Sequence, residues 1–190
     1  MIKVEMDIDI DVANRDSILE LLEHRKASLT NGKPHNTGIY VTEIPHNPLT
    51  NVATIDYQTA ASRGYFKIDI LNVGIYDSVT DPEHLDRLVD TEPDWDLLLD
   101  CKFVDQLFHL SGHCALTRTL APKNVDQLAA LLAVMRPAKK HLRNKSWDEI
   151  FKEVWVVPKD NDYFFKKSHA YSYAMAVKVH MNILSEKLKA

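Results

Sequence analysis

The sequence predicts an α+β protein: a small mixed or antiparallel sheet with a helix, followed by an all-helical half. Three observations predict it. Residues 2–12 alternate strictly, with Ile2, Val4, Met6, Ile8, Ile10 and Val12 on one side and Lys3, Glu5, Asp7, Asp9 and Asp11 on the other. A period of two is a strand with one buried face. From about residue 75 the apolar spacing becomes three and four, the period of a helix. The charge also changes sign along the chain. Residues 1–117 carry 9 Lys+Arg against 20 Asp+Glu, a balance of −11, and residues 118–190 carry 14 against 7, a balance of +7. That asymmetry suits a protein holding metal with one half and an anion with the other, or simply two differently solvated faces.

The elements follow in order. Residues 15–28 have the pattern of an amphipathic helix, with Asn14 or Asp16 as cap and Ile18, Leu19, Leu21, Leu22 and Leu29 apolar. Residues 31–36 read as a loop. Strands are expected at about 38–44, 52–57 and 65–71, with a turn from Pro45 to Asn51 and a short helix near 58–62 that ends at Gly64. Helices are expected at 82–90, 94–99, 101–109, 112–120, 124–135, 146–155 and 167–188. Leu128, Leu131, Leu132 and Met135 make one stripe, which Pro137 stops. Ala170, Tyr173, Ala174, Val177, Met181, Leu184 and Leu188 make another. The division between the two regions, 1–78 and 79–190, falls near residue 78. Internal repeats and low-complexity tracts are not seen.

With 190 residues, 45% hydrophobic and 26% charged, the composition excludes a disordered chain. The apolar runs are too short for a membrane span, so no membrane partner is expected. The first twelve residues lack the basic flank and apolar block of a signal peptide. Cys101 and Cys114 are too few for a disulfide framework, which points to a reducing, cytoplasmic setting.

The strongest local feature is Asp7-Ile8-Asp9-Ile10-Asp11. In a strand its carboxylates share a face at about 6.5–7 Å intervals. Stacked carboxylates repel, and a hard divalent cation relieves them. Two such ions roughly 3.5–4 Å apart are the usual machinery of nucleotidyl transfer. The plain alternative is a solvated strand face. Asp69, alone among apolar neighbours in Lys67-Ile68-Asp69-Ile70-Leu71, completes a metal site with Asp9 and Asp11 if its strand lies beside 2–12. With Ile68 and Ile70 facing the core, Asp69 then shares the other sheet face with Lys67.

Cations gather later in the chain. Arg136, Lys139, Lys140, Arg143 and Lys145 stand within ten residues, in an expected loop suited to phosphate or to solvent. Phe165-Lys166-Lys167-Ser168-His169 opens the last helix, with Ser168 placed to cap it, and its amides suit an anion. His109, His113 and Cys114 offer a weak zinc pattern that Ser111-Gly112 interrupts. Trp95, Trp147 and Trp155 read as core or interface residues.

Taken in order, these pieces resemble the C family of bacterial replicative DNA polymerases, which includes the polymerase III alpha subunit. The Asp7–Asp11 strand followed by a helix at Arg15-Asp16 resembles the family's palm strand. His35 with Gly38-Ile39-Tyr40-Val41 resembles its histidine-glycine strand, and Gly64 to Leu71 the strand bearing the third catalytic acid. Val104 to Gly112, Leu128 to Pro137 and Phe165 to Ala174 are similar to three segments of the fingers, with Ala138 in place of a glycine and Lys166 in place of an asparagine. The resemblance implies a truncated palm followed by a fingers-like half. It implies Asp9, Asp11 and Asp69 as catalytic and metal-binding, with Mg²⁺ or Mn²⁺ as cofactor. Arg136, Lys139, Lys140, Arg143, Lys166, Lys167, Ser168 and His169 become nucleotide- or DNA-binding, and DNA, deoxynucleotides and replisome proteins the expected partners.

The family's glycine-serine motif before the acidic strand is missing, and its insertion after that strand is reduced to about 25 residues. Its phosphoesterase domain, thumb, clamp-binding segment and OB-fold have no room, a size that would suit a compact genome such as a virus. Two functions are therefore expected: weak or partner-assisted nucleotidyl transfer, or a non-catalytic module binding DNA, a nucleotide or a replisome partner. A structural protein that keeps the fold for packing alone is the third.

Overall fold

The computed structural model describes residues 7–158 and 163–189, and the expectations for residues 1–6 lie outside that range. The fold is mixed α and β, and the chain forms two compact units, Met1–Asp77 and Ser78–Ala190. Among the described residues, no helix is long and apolar enough to cross a membrane.

The first unit is built on a six-stranded mixed sheet: β1 (Asp7–Val12), β2 (Arg25–Ser28), β3 (Pro34–Tyr40), β4 (His46–Asn47), β5 (Val52–Asp56) and β6 (Lys67–Asn72), in the order β1-β6-β3-β2-β5-β4. β1 pairs with β6 in parallel, β6 with β3 antiparallel, β3 with β2 antiparallel, β2 with β5 in parallel and β5 with β4 antiparallel. Helix α1 (Arg15–Leu21) is capped by Asn14, whose Oδ1 accepts from the amides of Asp16 and Ser17. Helix α2 (Tyr57–Ser62) is capped in the same way by Asp56, which receives the amides of Gln58 and Thr59 and the Thr59 hydroxyl. Those bonds hold the Asp56 carboxyl below its usual pKa. A small core of Ala27, Tyr40, Ile44, Ala53 and Ala60 fills this unit, with Ile55 and Tyr65 packed against it.

Three expectations fail here for identifiable reasons. The helix expected over 15–28 stops at Leu21, and 25–28 forms β2 instead. β2 lies between β3 and β5 and buries Ala27 fully, so sheet pairing overrides the local helical pattern. Leu21, a member of the expected stripe, is 82% exposed. The third strand begins at Pro34, four residues before its expected start, and takes up part of the predicted loop. Finally, the apolar side of β1 is not buried: Ile8 is 50% and Ile10 41% exposed. β1 is an edge strand, and the cover over Ile39 and Ile70, both buried, does not extend to it.

The second unit is helical: α3 (Pro82–Asp90), α4 (Cys101–Val104), α5 (Cys114–Leu120), α6 (Val125–Val134), α7 (Trp147–Glu153) and α8 (Lys167–Lys189). Residues 95–99 and 137–142 form 3-10 turns. Helix α6 is the centre of the core. Every residue from Leu128 to Val134 is buried, so the one-sided stripe expected there is a helix enclosed on all sides. Ala170, Ala174, Val177 and Met181 of α8 join the same core, while Leu188, at the end of the stripe, is 73% exposed. The helix expected over 101–109 ends at Val104, and His109 takes a left-handed φ of 60°.

Helix α7 opens with a capping box. Ser146 Oγ receives the Glu149 amide while the Glu149 carboxylate receives the Ser146 amide and hydroxyl. Ser146→Ala is expected to destabilise the protein by about 1 kcal/mol in urea denaturation. The bonds from Ser146 and Lys145 lower the Glu149 pKa to about 2. A carboxyl with a depressed folded pKa contributes stability above its unfolded pKa and loses it as pH falls through the folded one. The Glu149 contribution is therefore present at neutral pH and fades between the ordinary glutamate range and pH 2. Melting curves of wild type and Glu149→Gln should converge across that window.

Candidate carboxylate site and cation surface

The parallel pairing of β1 with β6 sets Asp9 directly opposite Asp69, with Asp7 opposite Lys67 and Asp11 opposite Leu71. Directly paired residues share a sheet face, so Asp9, Asp11, Lys67 and Asp69 lie on one side. Gly38 on β3 stands opposite Asp69 from the other neighbour. The strand adjacency on which the metal reading depends is present.

Asp69 is not on an open polar face. It and Lys67 are buried, each side chain 10% exposed, because β6 is an interior strand. The Lys67 ammonium donates to Asp69 Oδ2, and the Thr37 hydroxyl donates to Asp69 Oδ1 at 2.7 Å. His35 orders this corner. Its Nδ1 receives the amides of Gly38 at 3.0 Å and Thr37 at 3.3 Å. Two donors aimed at one ring nitrogen make it the unprotonated one, leaving the proton on Nε2. The 3.7 Å approach of that same Nδ1 to Asp69 Oδ1 is then not an ion pair.

Gly38 is required by space. A Cβ there would stand 2.9 Å from Lys67 Cδ and 3.1 Å from both Ala27 Cβ and His35 Nδ1. The absent side chain lets Lys67 lie across β3 and reach Asp69.

Asp11 is half-buried at the sheet edge, and burial, then the nearby Asp9 charge, raise its carboxyl above the usual range. Tyr40, buried in the small core, has its phenol pushed up to about 12 by burial and by the charges of Asp56 and Asp69.

The carboxylates are hard oxygen donors of the kind Mg²⁺ takes, and two of them are paired across adjacent strands. As they stand they are not gathered around a common point. Among the described residues no group of three or more His, Cys, Asp or Glu side chains is placed to hold a metal ion. The donor chemistry fits a divalent cation, on the condition that Lys67 yields Asp69.

Sequence reasoning identified Asp9, Asp11 and Asp69 but missed Thr37 and the pairing of Lys67 with Asp69. Alternation gave a partial signal for Lys67, which sits two residues from Asp69. None existed for Thr37, since the ladder between β3 and β6 starts only at Gly38 and the register of β3 against β2 is irregular between Pro34 and Ile39.

The predicted cations all belong to the second unit, and the structure sorts them. Lys139 is buried, its ammonium donating to the carbonyl of Glu153 at the end of α7. Arg143 donates to the carbonyl of Met135 at the end of α6. Both complete helix C-termini, where cations are favoured. The guanidinium of Arg136 lies 3.7 Å from the centre of the Phe165 ring. Phe165 in turn stacks on Tyr173 at 5.5 Å, and His109 meets Tyr173 at 4.4 Å. The expected loop is thus a 3-10 turn tied to its neighbours. Lys140, Lys166 and Lys167 are exposed, His169 is half-buried, and Lys167 lies 5.5 Å from the Tyr171 ring. Ser168 is exposed but is not a cap, since α8 begins one residue earlier at Lys167.

The zinc pattern is overturned. Cys114 is joined to Cys101 in a disulfide with a Cα separation of 5.2 Å, and a disulfide sulfur is not a thiolate ligand. His109 is packed between Phe108 and Tyr173. The pairing also departs from the expectation of two reduced thiols. Comparison with protein-family models, curated proteins and solved structures finds no match for this chain.

Proposed function

We propose that this chain is a polymerase-palm-like protein of DNA replication, carrying out weak or partner-assisted nucleotidyl transfer with Mg²⁺. The observation that carries the reading is the placement of Asp9 opposite Asp69 on one face of two adjacent parallel strands. Asp11, two residues along, has a raised affinity for protons, from its burial and then from the nearby Asp9 charge. Bound by Asp9, Asp11 and Asp69, Mg²⁺ would neutralise phosphate charge and lower the pKa of an attacking hydroxyl. The remaining tasks fall to the chain itself. Thr37 fixes one oxygen of Asp69 and thereby its orientation. His35, receiving the amides of Thr37 and Gly38, holds the part of β3 that presents Thr37. Lys67 neutralises Asp69 and can pass to a substrate phosphate once Asp69 is otherwise engaged.

A second reading, a non-catalytic module binding DNA or a nucleotide, is favoured by one specific observation. Lys67 already supplies the charge that Asp69 needs. Primer extension separates the two, with all four deoxynucleotides and Mg²⁺ or Mn²⁺, run beside Asp69→Asn. Extension that disappears in the variant is the expected result. A folded wild-type protein that extends no primer, alone or with replisome proteins added, sinks the enzymatic reading and leaves the binding module.

A further inference from the structure

A solvent-facing cavity of about 400 Å³ lies in the helical unit, and its lining shares no residue with the carboxylate site. It opens between the start of α6, the end of α7 and the first turns of α8. Its volume is in the range of small-ligand pockets. Two features of its lining narrow the ligand.

The first is aromatic surface. Trp155 and Tyr171 face each other with ring centres 6.2 Å apart, and Phe151, 37% exposed, borders the same space. Trp155 and Tyr171 already touch, so an entering ring stacks on an outward face rather than between them.

The second is an excess of donors. Asn124 Oδ1 receives the Gln127 amide at 2.8 Å, and Gln127 Oε1 receives the Lys123 amide at 2.8 Å. Each carbonyl oxygen already accepts one backbone amide, which fixes the orientation of the side chain and offers its NH₂ group as a donor to a ligand. Lys167 adds an ammonium beside Tyr171. The carboxylate in the lining, Asp126, receives the Tyr171 hydroxyl.

We propose that this cavity binds one nucleotide unit. The base stacks on Trp155 and Phe151, its edge acceptors meet the amides of Asn124 and Gln127, and its phosphate pairs with Lys167. A flat ring with acceptors on its rim and an anion attached is what this lining complements. A free mononucleotide and one position of single-stranded DNA both present this unit, and the test separates them. The inference does not depend on metal chemistry at Asp9, Asp11 and Asp69.

The test is fluorescence anisotropy of a labelled oligo(dA) strand with the full chain, with dAMP as competitor. Trp155→Ala is expected to weaken strand binding roughly five- to hundredfold, the range of one lost base stack. Trp155 also packs on the core, so Phe151→Ala, at an exposed position, gives the second reading and should weaken binding in the same direction. Lys167→Ala should flatten the salt dependence by about one phosphate contact. Competition by dAMP identifies a site that takes free nucleotide. Strand binding that dAMP leaves intact, yet both aromatic variants weaken, identifies a site for one position of the strand. No binding of either probe, or strand binding unchanged in folded Phe151→Ala and Lys167→Ala, overturns the proposal. Strand binding and primer extension are separate readouts, so a protein that binds the strand through this cavity but extends no primer fails the catalytic reading and leaves this result standing.

Discussion

Replacing Lys67 with methionine is expected to cost about 3–5 kcal/mol, because it leaves the buried Asp69 carboxylate without its cation. Methionine keeps most of the stem that crosses Gly38, so packing changes little and charge accounts for the loss. The double variant Lys67→Met, Asp69→Asn removes both charges and should recover most of the stability. Urea denaturation of the four proteins of this cycle measures the coupling directly. The same proteins test the metal reading. If a divalent cation can take the place of the ammonium, millimolar Mg²⁺ should restore the Lys67→Met protein and leave the double variant unchanged. A Lys67→Met protein indifferent to Mg²⁺ would show that this carboxylate is served by lysine alone, and the binding module would become the better reading.

Leu131→Ala is expected to destabilise the helical unit by about 2–5 kcal/mol. Leu131 is fully buried in a helix whose neighbours on every side are also buried, so no solvent-side shift can close the gap. Leu131→Met keeps the volume and should cost less than about 1.5 kcal/mol. Leu21→Ala, at an exposed site, should stay within about 0.5 kcal/mol. Trp95, Trp147 and Trp155 all belong to the helical unit, so tryptophan fluorescence follows its unfolding. A small loss for Leu131→Ala would mean that α6 is less tightly enclosed than its burial indicates.

The candidate site was legible where a local pattern and a physical need coincide. Three acids at period two declare a strand and a charge problem in five residues. Asp69 stands out because a lone acid among isoleucines needs a reason. Their adjacency was not legible, since no residue of β1 names its partner 60 residues later. The cations were legible as a cluster but not as a surface. Lys139 and Arg143 are indistinguishable in sequence from Lys140, yet they complete the ends of α7 and α6 while Lys140 meets solvent.

By itself the sequence determined the class of the fold, the passage from strand to helix, the cap at the start of α1, where Asn14 and Asp16 were the candidates, and the acids of β1 and β6. Each depends on residues within a few positions of one another, where periodicity and side-chain chemistry act directly. Only the tertiary structure decided that 25–28 is a strand, that α6 is enclosed, that Cys101 meets Cys114, and that Lys67 and Thr37 hold Asp69. Those outcomes depend on which distant segments exclude water from one another, and burial is a property of the assembled chain.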